Sequence, residues 1–226
     1  MNDRLLSFFY FFQFTSAYWE LTAEERRDVH ARLLADLRAA NLHFDLYQVF
    51  PLNAQVDLLL WCSAQLTEEM TPEHFFEAAA RMLMPYRSLI SAHEIWWGMT
   101  RPSDYARGKS AQEIDPLVDQ RSRYLVVYPF SKNSEWYKLS RDTRQGMMNE
   151  HIRIGHQYPQ IKQLLLYSTG LQDQEFIVAY ETEDLVQFSA LVAELRSSEA
   201  RRFTSVDTPV FTAIYHSPEE TLGLFI

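Results

Sequence analysis

The chain is 226 residues long, 47% hydrophobic, 14% aromatic and 23% charged, with a formal net charge of −9 at pH 7. This length suits two small domains sharing a core, and the acidic balance argues against a nucleic-acid partner, because phosphate binding requires clustered Lys and Arg. One cysteine, Cys62, excludes a disulfide framework and a thiolate metal cluster, and only six glycines leave little material for a phosphate-cradling loop.

Residues 5–14, LLSFFYFFQF, are dense in Phe and Tyr and read as the first strand. The opening segment has no basic start and no small-residue cleavage site, and its apolar run is too short to cross a bilayer. A cytoplasmic protein without membrane insertion is the expectation. A helix follows over about 22–40: Thr22 is placed to cap it, Glu25 to complete a capping box, and Val29, Leu33, Leu34 and Leu37 recur at helical spacing. Two strand-like runs, NLHFDLYQVF and QVDLLLWCS, are joined through PLNA, with Cys62 reading as a small apolar residue facing inward. A second helix opens at Thr71-Pro72 and runs to about 84, and SLISAHEIWWGM is another strand. The order is β-α-β-β-α-β.

TRPSDYARGKSAQEIDPLVDQ lacks regular periodicity and reads as a linker. The same order then repeats. RYLVVYPF is a strand, and a helix begins near Ser140. QIKQLLLYS and QEFIVAYET are strands joined by TGLQD, where Gly170 supplies the positive φ of a turn; EDLVQFSALVAELRSS is a helix and PVFTAIYHS the last strand. The expected class is α+β: two tandem ferredoxin-like halves, 1–100 and 122–226, around a linker at 101–121. Neither half covers both faces of its sheet, so the bare faces are expected to pack together into a dimeric α+β barrel, helices outside, with room for a cavity between them.

On the helix from Ser140, Met147, Met148, His151 and Ile154 share an apolar face, and Gly155 lies one turn beyond His151. A glycine in a helix costs roughly 0.5–1 kcal/mol relative to alanine, so close packing, a helix end, or a flat bulky neighbour must explain it. His156 is rotated by about 140° from His151 and cannot share a metal ion with it on a regular helix. No HExxH, GxSxG, P-loop or GxGxxG is present. From residue type alone, a histidine on an apolar face is ordinarily a packed residue, unless a cofactor makes it an axial ligand.

In order, YLVVYPFSK, EWYKL, RQGMMNEHIRIGHQYP, QLLLYSTGLQDQEFIVAYE, ELRSSEARRFT and PVFTAIY resemble the C-terminal half of the chlorite dismutase-like family, and within it the coproheme decarboxylases. LYQVFPLNAQVDLLLWC carries a weaker likeness in the first half. The resemblance implies that His151 is the proximal ligand of haem iron and that His156 stands where relatives commonly have arginine. It puts Gln163 over the distal face when the strand is anchored on Gly170; counting from His151 nominates Leu164 instead. Chlorite dismutases carry an arginine there. A neutral amide or a leucine supplies no comparable fixed charge, so the likeness points away from chlorite dismutation.

The resemblance further implies that Tyr128 forms a radical, that Lys132 lies near a propionate, and that Arg196 pairs with a propionate through its planar fork. Relatives place a linker arginine where this chain has Glu113 and Ile114; Arg107, Lys109, Arg121 and Arg123 stand as substitutes. The implied reaction converts coproheme to haem b with hydrogen peroxide, coproheme being both substrate and redox centre, in a homopentameric assembly. The alternatives are a chlorite dismutase or weak haem peroxidase, and a haem-binding protein without turnover.

Overall fold

The aromatic run that opens the chain is buried on both faces. In the computed structural model, which describes residues 4–105 and 110–226, β1 (Leu5–Phe14) turns Phe9 and Phe11 to one side and Leu6, Phe8, Tyr10, Phe12 and Phe14 to the other. A single turn, α1 (Ser16–Trp19), leads to α2 (Ala23–Ala39). Thr22 and Glu25 close the expected capping box, each accepting the other's backbone N–H. β2 (His43–Gln48), β3 (Leu58–Gln65), α3 (Pro72–Leu83) and β4 (Ile90–Met99) follow, with the Thr71 side chain capping α3. Antiparallel pairing gives the order β4-β1-β3-β2.

The second half repeats this plan. β5 (Tyr124–Lys132), α4 (Ser134–Lys138), α5 (Arg141–Gly155), β6 (Lys162–Tyr167), β7 (Phe176–Thr182), α6 (Leu185–Ser197), β8 (Thr204–Val206), β9 (Phe211–Tyr215) and α7 (Pro218–Gly223) follow in turn. Its order is β6-β7-β5-β9, the same arrangement. Gly170 has φ 75°, as the turn between β6 and β7 requires. The short elements α1, α4, β8 and α7 escape a reading based on periodicity, because none completes two turns or four alternations.

Two seams join the halves. Met99 pairs with Tyr167 across β4 and β6; Tyr47 and Gln48 pair with Tyr215 and Ile214 across β2 and β9. With β5 paired to both β7 and β9, eight strands close into a ring and β8 extends one end of β5. The ring is filled. Phe9, Phe11, Trp61, Trp96, Leu164, Leu166 and Phe211 are among its buried contents, and Phe11 stacks on Phe211 with centroids 4.3 Å apart. The expected space between the two sheets is therefore occupied by side chains.

Arg121 ties the seam from within. Its fully buried guanidinium donates from Nε to Asp45 on β2 at 2.7 Å, and its Nη1 lies 3.6 Å from Glu181 on β7. It also lies over the Trp61 ring, 4.9 Å from the centroid, and donates to the carbonyls of Asp115 and Pro116. Burial pushes the Glu181 carboxyl up to about 7, against the opposing pull of Arg121.

Outside the ring the halves differ. Against the N-terminal sheet, α2 and α3 pack a continuous cluster that also takes Leu222 of α7 and Phe225 beyond it. Against the C-terminal sheet, the buried cluster comprises only Ile154, Tyr158, Ile161, Val178, Tyr180 and Leu191. Among the described residues, no helix is long and apolar enough to cross a membrane.

Candidate functional site

The pleat decides which side chains meet α5 and α6. Leu164 and Leu166 of β6, with Ile177 and Ala179 of β7 and Leu125 and Val127 of β5, point into the ring. Their neighbours must then face outward. Gln163 pairs with Tyr180, Leu165 with Val178, and Tyr167 with Phe176; Tyr128 and Phe130 continue the same face on β5. Of the two distal candidates, Gln163 lies on this outer face and is exposed, whereas Leu164 is 2% exposed inside the ring. The candidate groove is thus taken between the C-terminal sheet and its helices, because side chains fill the space between the two sheets.

β5 carries Tyr128 and Lys132 into this groove. A register shift between Ser131 and Lys132, where β8 pairs, re-aims the lysine. Its ammonium donates to the Ala200 carbonyl at 3.2 Å and the Thr204 hydroxyl at 3.3 Å, and lies 4.7 Å from the Trp136 ring centroid. Burial lowers it to about 8, Arg201 adding to the effect and Glu175 opposing it. The Tyr128 phenol is half-buried and its hydroxyl is raised, chiefly by burial, with Tyr180 pulling the other way.

α5 starts where Ser140 accepts the Thr143 N–H, and it presents His151 one turn before its end. Burial pushes the imidazole down to about 4; Lys132 contributes in the same direction and Glu150 opposes. At neutral pH it is an uncharged ring with a free nitrogen lone pair, and it makes no hydrogen bond among the described residues. Gly155 is the last helical residue, and a Cβ added there would meet nothing within 4 Å. Neither close packing nor a left-handed backbone explains the glycine, and open space lies beside it. His156 follows as the exposed C-cap.

Arg196 ends α6 as expected but is 61% exposed at its side chain, with Nη2 3.9 Å from Asp207. Arg201, which the sequence pattern did not single out, takes that carboxylate more closely, at 2.6 Å. Both arginines and Asp207 act electrostatically on Tyr128. Arg144 is a second omission. It lies two turns before His151, on the same helical face. Its Nε is buried without a partner, and the side chain makes no hydrogen bond or ion pair among the described residues. The seven-residue spacing was readable; the missing partner was not.

The linker is anchored here. Gln163 donates its N–H to the Gln112 carbonyl at 2.7 Å and accepts from Ile114 N–H at 3.0 Å. The Gln112 amide donates to the carbonyls of Gly155, Tyr158 and Ile161, closing the end of α5. Of the substitutes for the relatives' linker arginine, Arg121 is committed inside the ring and Arg123 pairs with Glu183 at the surface. Arg107 and Lys109 lie outside the described residues. No cluster of three or more His, Cys, Asp or Glu side chains able to hold a metal ion occurs among the described residues.

Fold and groove together define a barrel of two ferredoxin-like halves whose C-terminal copy carries a neutral, helix-borne histidine beside a strand-borne lysine. The chain belongs to the chlorite dismutase family, whose model matches residues 20–216. It is 30% identical over 182 residues to a coproheme decarboxylase of Mycolicibacterium smegmatis, covering 79% of this chain and 75% of that one. It is 32% identical over 191 residues to a coproheme decarboxylase of Staphylococcus carnosus, covering 76% and 72%. Among solved structures, the chlorite dismutase of Candidatus Nitrospira defluvii in complex with imidazole superposes with a TM-score of 0.83 at 21% identity, covering 98% of this chain and 94% of that one.

Proposed function

We propose that this protein is a coproheme decarboxylase, binding iron coproporphyrin III in the C-terminal groove and converting two of its propionates to vinyl groups with hydrogen peroxide. The observation that carries the reading is His151: a neutral, half-buried imidazole with no partner, in a chain whose named relatives are coproheme decarboxylases. The residues fit such a ligand. A flat ring needs room, and the space beside Gly155 offers it. A porphyrin with four carboxylates needs cations, and Arg144 has a buried Nε lacking an acceptor, with Lys132, Arg196 and Arg201 on the facing side.

The bound iron porphyrin supplies the chemistry that activates peroxide. Everything else falls to this chain. His151 holds the metal through one ring nitrogen. Lys132, lowered to about 8, places one carboxylate and exchanges its proton near neutral pH. Arg196 and Arg144 would each hold a further carboxylate, and Gln163 would supply a neutral amide from the outer face of the sheet. Tyr128 abstracts hydrogen from the propionate carbon next to the ring once it has been oxidised to its radical. Each conversion breaks that C–H bond and the bond to the carboxylate, forms the vinyl double bond, and releases one CO2 while one peroxide becomes two waters. Gln163 in place of an arginine disfavours chlorite chemistry on this groove, since a neutral amide holds an anion less strongly. A homopentamer in the cytoplasm is the accompanying reading.

Peroxide titration of the protein with iron coproporphyrin III, followed by the mass of the extracted porphyrin, tests this. Haem b accounting for two peroxides per porphyrin supports the decarboxylase. Unaltered coproheme with oxidised peroxidase substrate makes it a haem peroxidase, oxygen release from chlorite a chlorite dismutase, and a histidine-ligated spectrum without any turnover a haem-binding protein.

A further inference from the structure

α5 carries His151 but is weakly fixed by packing, since Ile154 is its one buried residue. Hydrogen bonds must therefore hold its place over the sheet. Among the described residues, Gln145 of α5 donates to the Tyr105 carbonyl and Glu150 accepts the Glu199 N–H; both lead to connecting segments and neither to a strand. Gln112 is different. Its carbonyl accepts the Gln163 N–H at 2.7 Å, in a short parallel bridge that sets Glu113 beside Gln163. Ile114, two residues on, is 3% exposed inside the ring and fixes the linker there. From this anchored stretch the Gln112 side chain crosses to the end of α5. Its amide nitrogen lies 3.3, 3.0 and 3.1 Å from the carbonyl oxygens of Gly155, Tyr158 and Ile161. Acceptors on every side settle which end of the amide is nitrogen, because an oxygen there would be repelled by all of them.

We propose that Gln112 is a positioning residue that sets the separation of His151 from Gln163. The inference rests on the function proposed above, in which these two side chains address one bound ring. Residues 156–161 connect the helix to the strand through successive tight turns: Gln157 N–H donates to the Ile154 carbonyl, Tyr158 N–H to Gly155 and Ile161 N–H to Tyr158. These bonds are local and tie the segment to nothing outside itself. The Tyr158 hydroxyl reaches Glu194 on α6, at 2.6 Å, but not the sheet. Gln112 gathers carbonyls from the start, middle and end of the segment onto one amide, while its own main chain is hydrogen-bonded to β6. One residue thus grips the helix end and the strand together. An ordinary helix cap would engage only Gly155, whereas the Ile161 carbonyl stands immediately before β6 and has no part in α5. Loss of the amide loosens the helix against the strand, and the register of β6 stays fixed by its pairing with β7.

Gln112→Leu removes the donors while keeping the backbone bridge and much of the bulk; Gln112→Lys restores donors on a slightly longer stem. In the protein without porphyrin, hydrogen exchange of the amides in 154–163, followed by mass, is expected to quicken about three- to tenfold in Gln112→Leu. The ring resonance of His151, assigned by its loss in His151→Ala, is expected to move or split in the same variant. Gln112→Lys is expected to return both close to wild type. Unchanged exchange overturns the proposal. So does faster exchange with a stationary His151 resonance, because that pattern belongs to a brace for the turn alone. In the reduced coproheme complex, the iron–histidine stretching band is expected to shift in Gln112→Leu and to recover in Gln112→Lys; an unmoved band also overturns it. Exchange and the His151 resonance need no porphyrin. Failure of the wild-type protein to take up coproheme therefore sinks the proposed function, while those two measurements still decide whether Gln112 positions the histidine.

Discussion

Arg144 offers the most direct test of whether the groove accepts a polycarboxylate. Its Nε is buried with no acceptor, on the His151 face of α5. A hydrogen bond involving a charged group contributes about 1.5–3 kcal/mol, so Arg144→Gln is expected to weaken coproheme binding about 10- to 150-fold. The empty protein should respond in the opposite sense. A desolvated donor without a partner costs stability, so its removal is expected to leave the thermal midpoint unchanged or raise it by a few degrees. Spectrophotometric titration with iron coproporphyrin III gives the first quantity, and a thermal melt of the unloaded protein the second. Repeating the titration with haem b, which has two fewer carboxylates, shows whether Arg144 meets a group that the reaction removes. A Kd for coproheme equal to wild type refutes the assignment. So does a melt lowered by more than about 4 °C, because a residue that stabilises the empty fold already has its partner.

His151→Ala is expected to abolish the histidine-type five-coordinate spectrum of bound coproheme, with added imidazole restoring it; a wild-type spectrum in the variant defeats the ligand assignment. Tyr128→Phe should bind coproheme within about twofold of wild type yet lose at least about 100-fold in vinyl formation, measured by porphyrin mass after peroxide. Arg121→Met strands Asp45 and Glu181 as buried carboxylates and is expected to cost about 3–5 kcal/mol in urea denaturation at pH 7.5; a loss below about 1 kcal/mol counts against the latch. Glu181, pushed up to about 7 from its ordinary 4.5, holds a proton in the folded state that the unfolded chain has released. Its contribution to stability is therefore greatest below pH 4.5 and falls by roughly 3 kcal/mol as pH rises to 7. Glu181→Gln should flatten that part of the stability profile, and an identical slope in the variant contradicts it.

Several elements were legible because their signals are local. The Thr22–Glu25 capping box, the threonine-proline start of α3, and Gly170 at φ 75° each depend on neighbours a few residues away. The stripe of Met147, Met148, His151 and Ile154 is likewise a property of one helix. Register is different. A slip of one residue exchanges the two faces of a strand, so QLLLY by itself cannot tell Gln163 from Leu164, and only pairing with Tyr180 and Ala179 separates them. Arg121 looks like any linker cation until Asp45, 76 residues earlier in the chain, closes on it. The expected space between the two sheets is absent for a related reason: bare sheet faces do pack together, but their large aromatic side chains leave no room between them.

The two copies are packed unequally over the outer faces of their sheets. Over the N-terminal sheet, Phe8, Tyr10, Phe75 and Phe225 belong to a large buried cluster, whereas the buried cluster under α5 and α6 is small. The first copy therefore supplies the larger share of buried packing, and the shared ring joins it to the copy that carries an unpartnered arginine and a histidine lowered to about 4. Substitutions that damage the first copy would then silence the second while leaving every ligand-facing side chain intact.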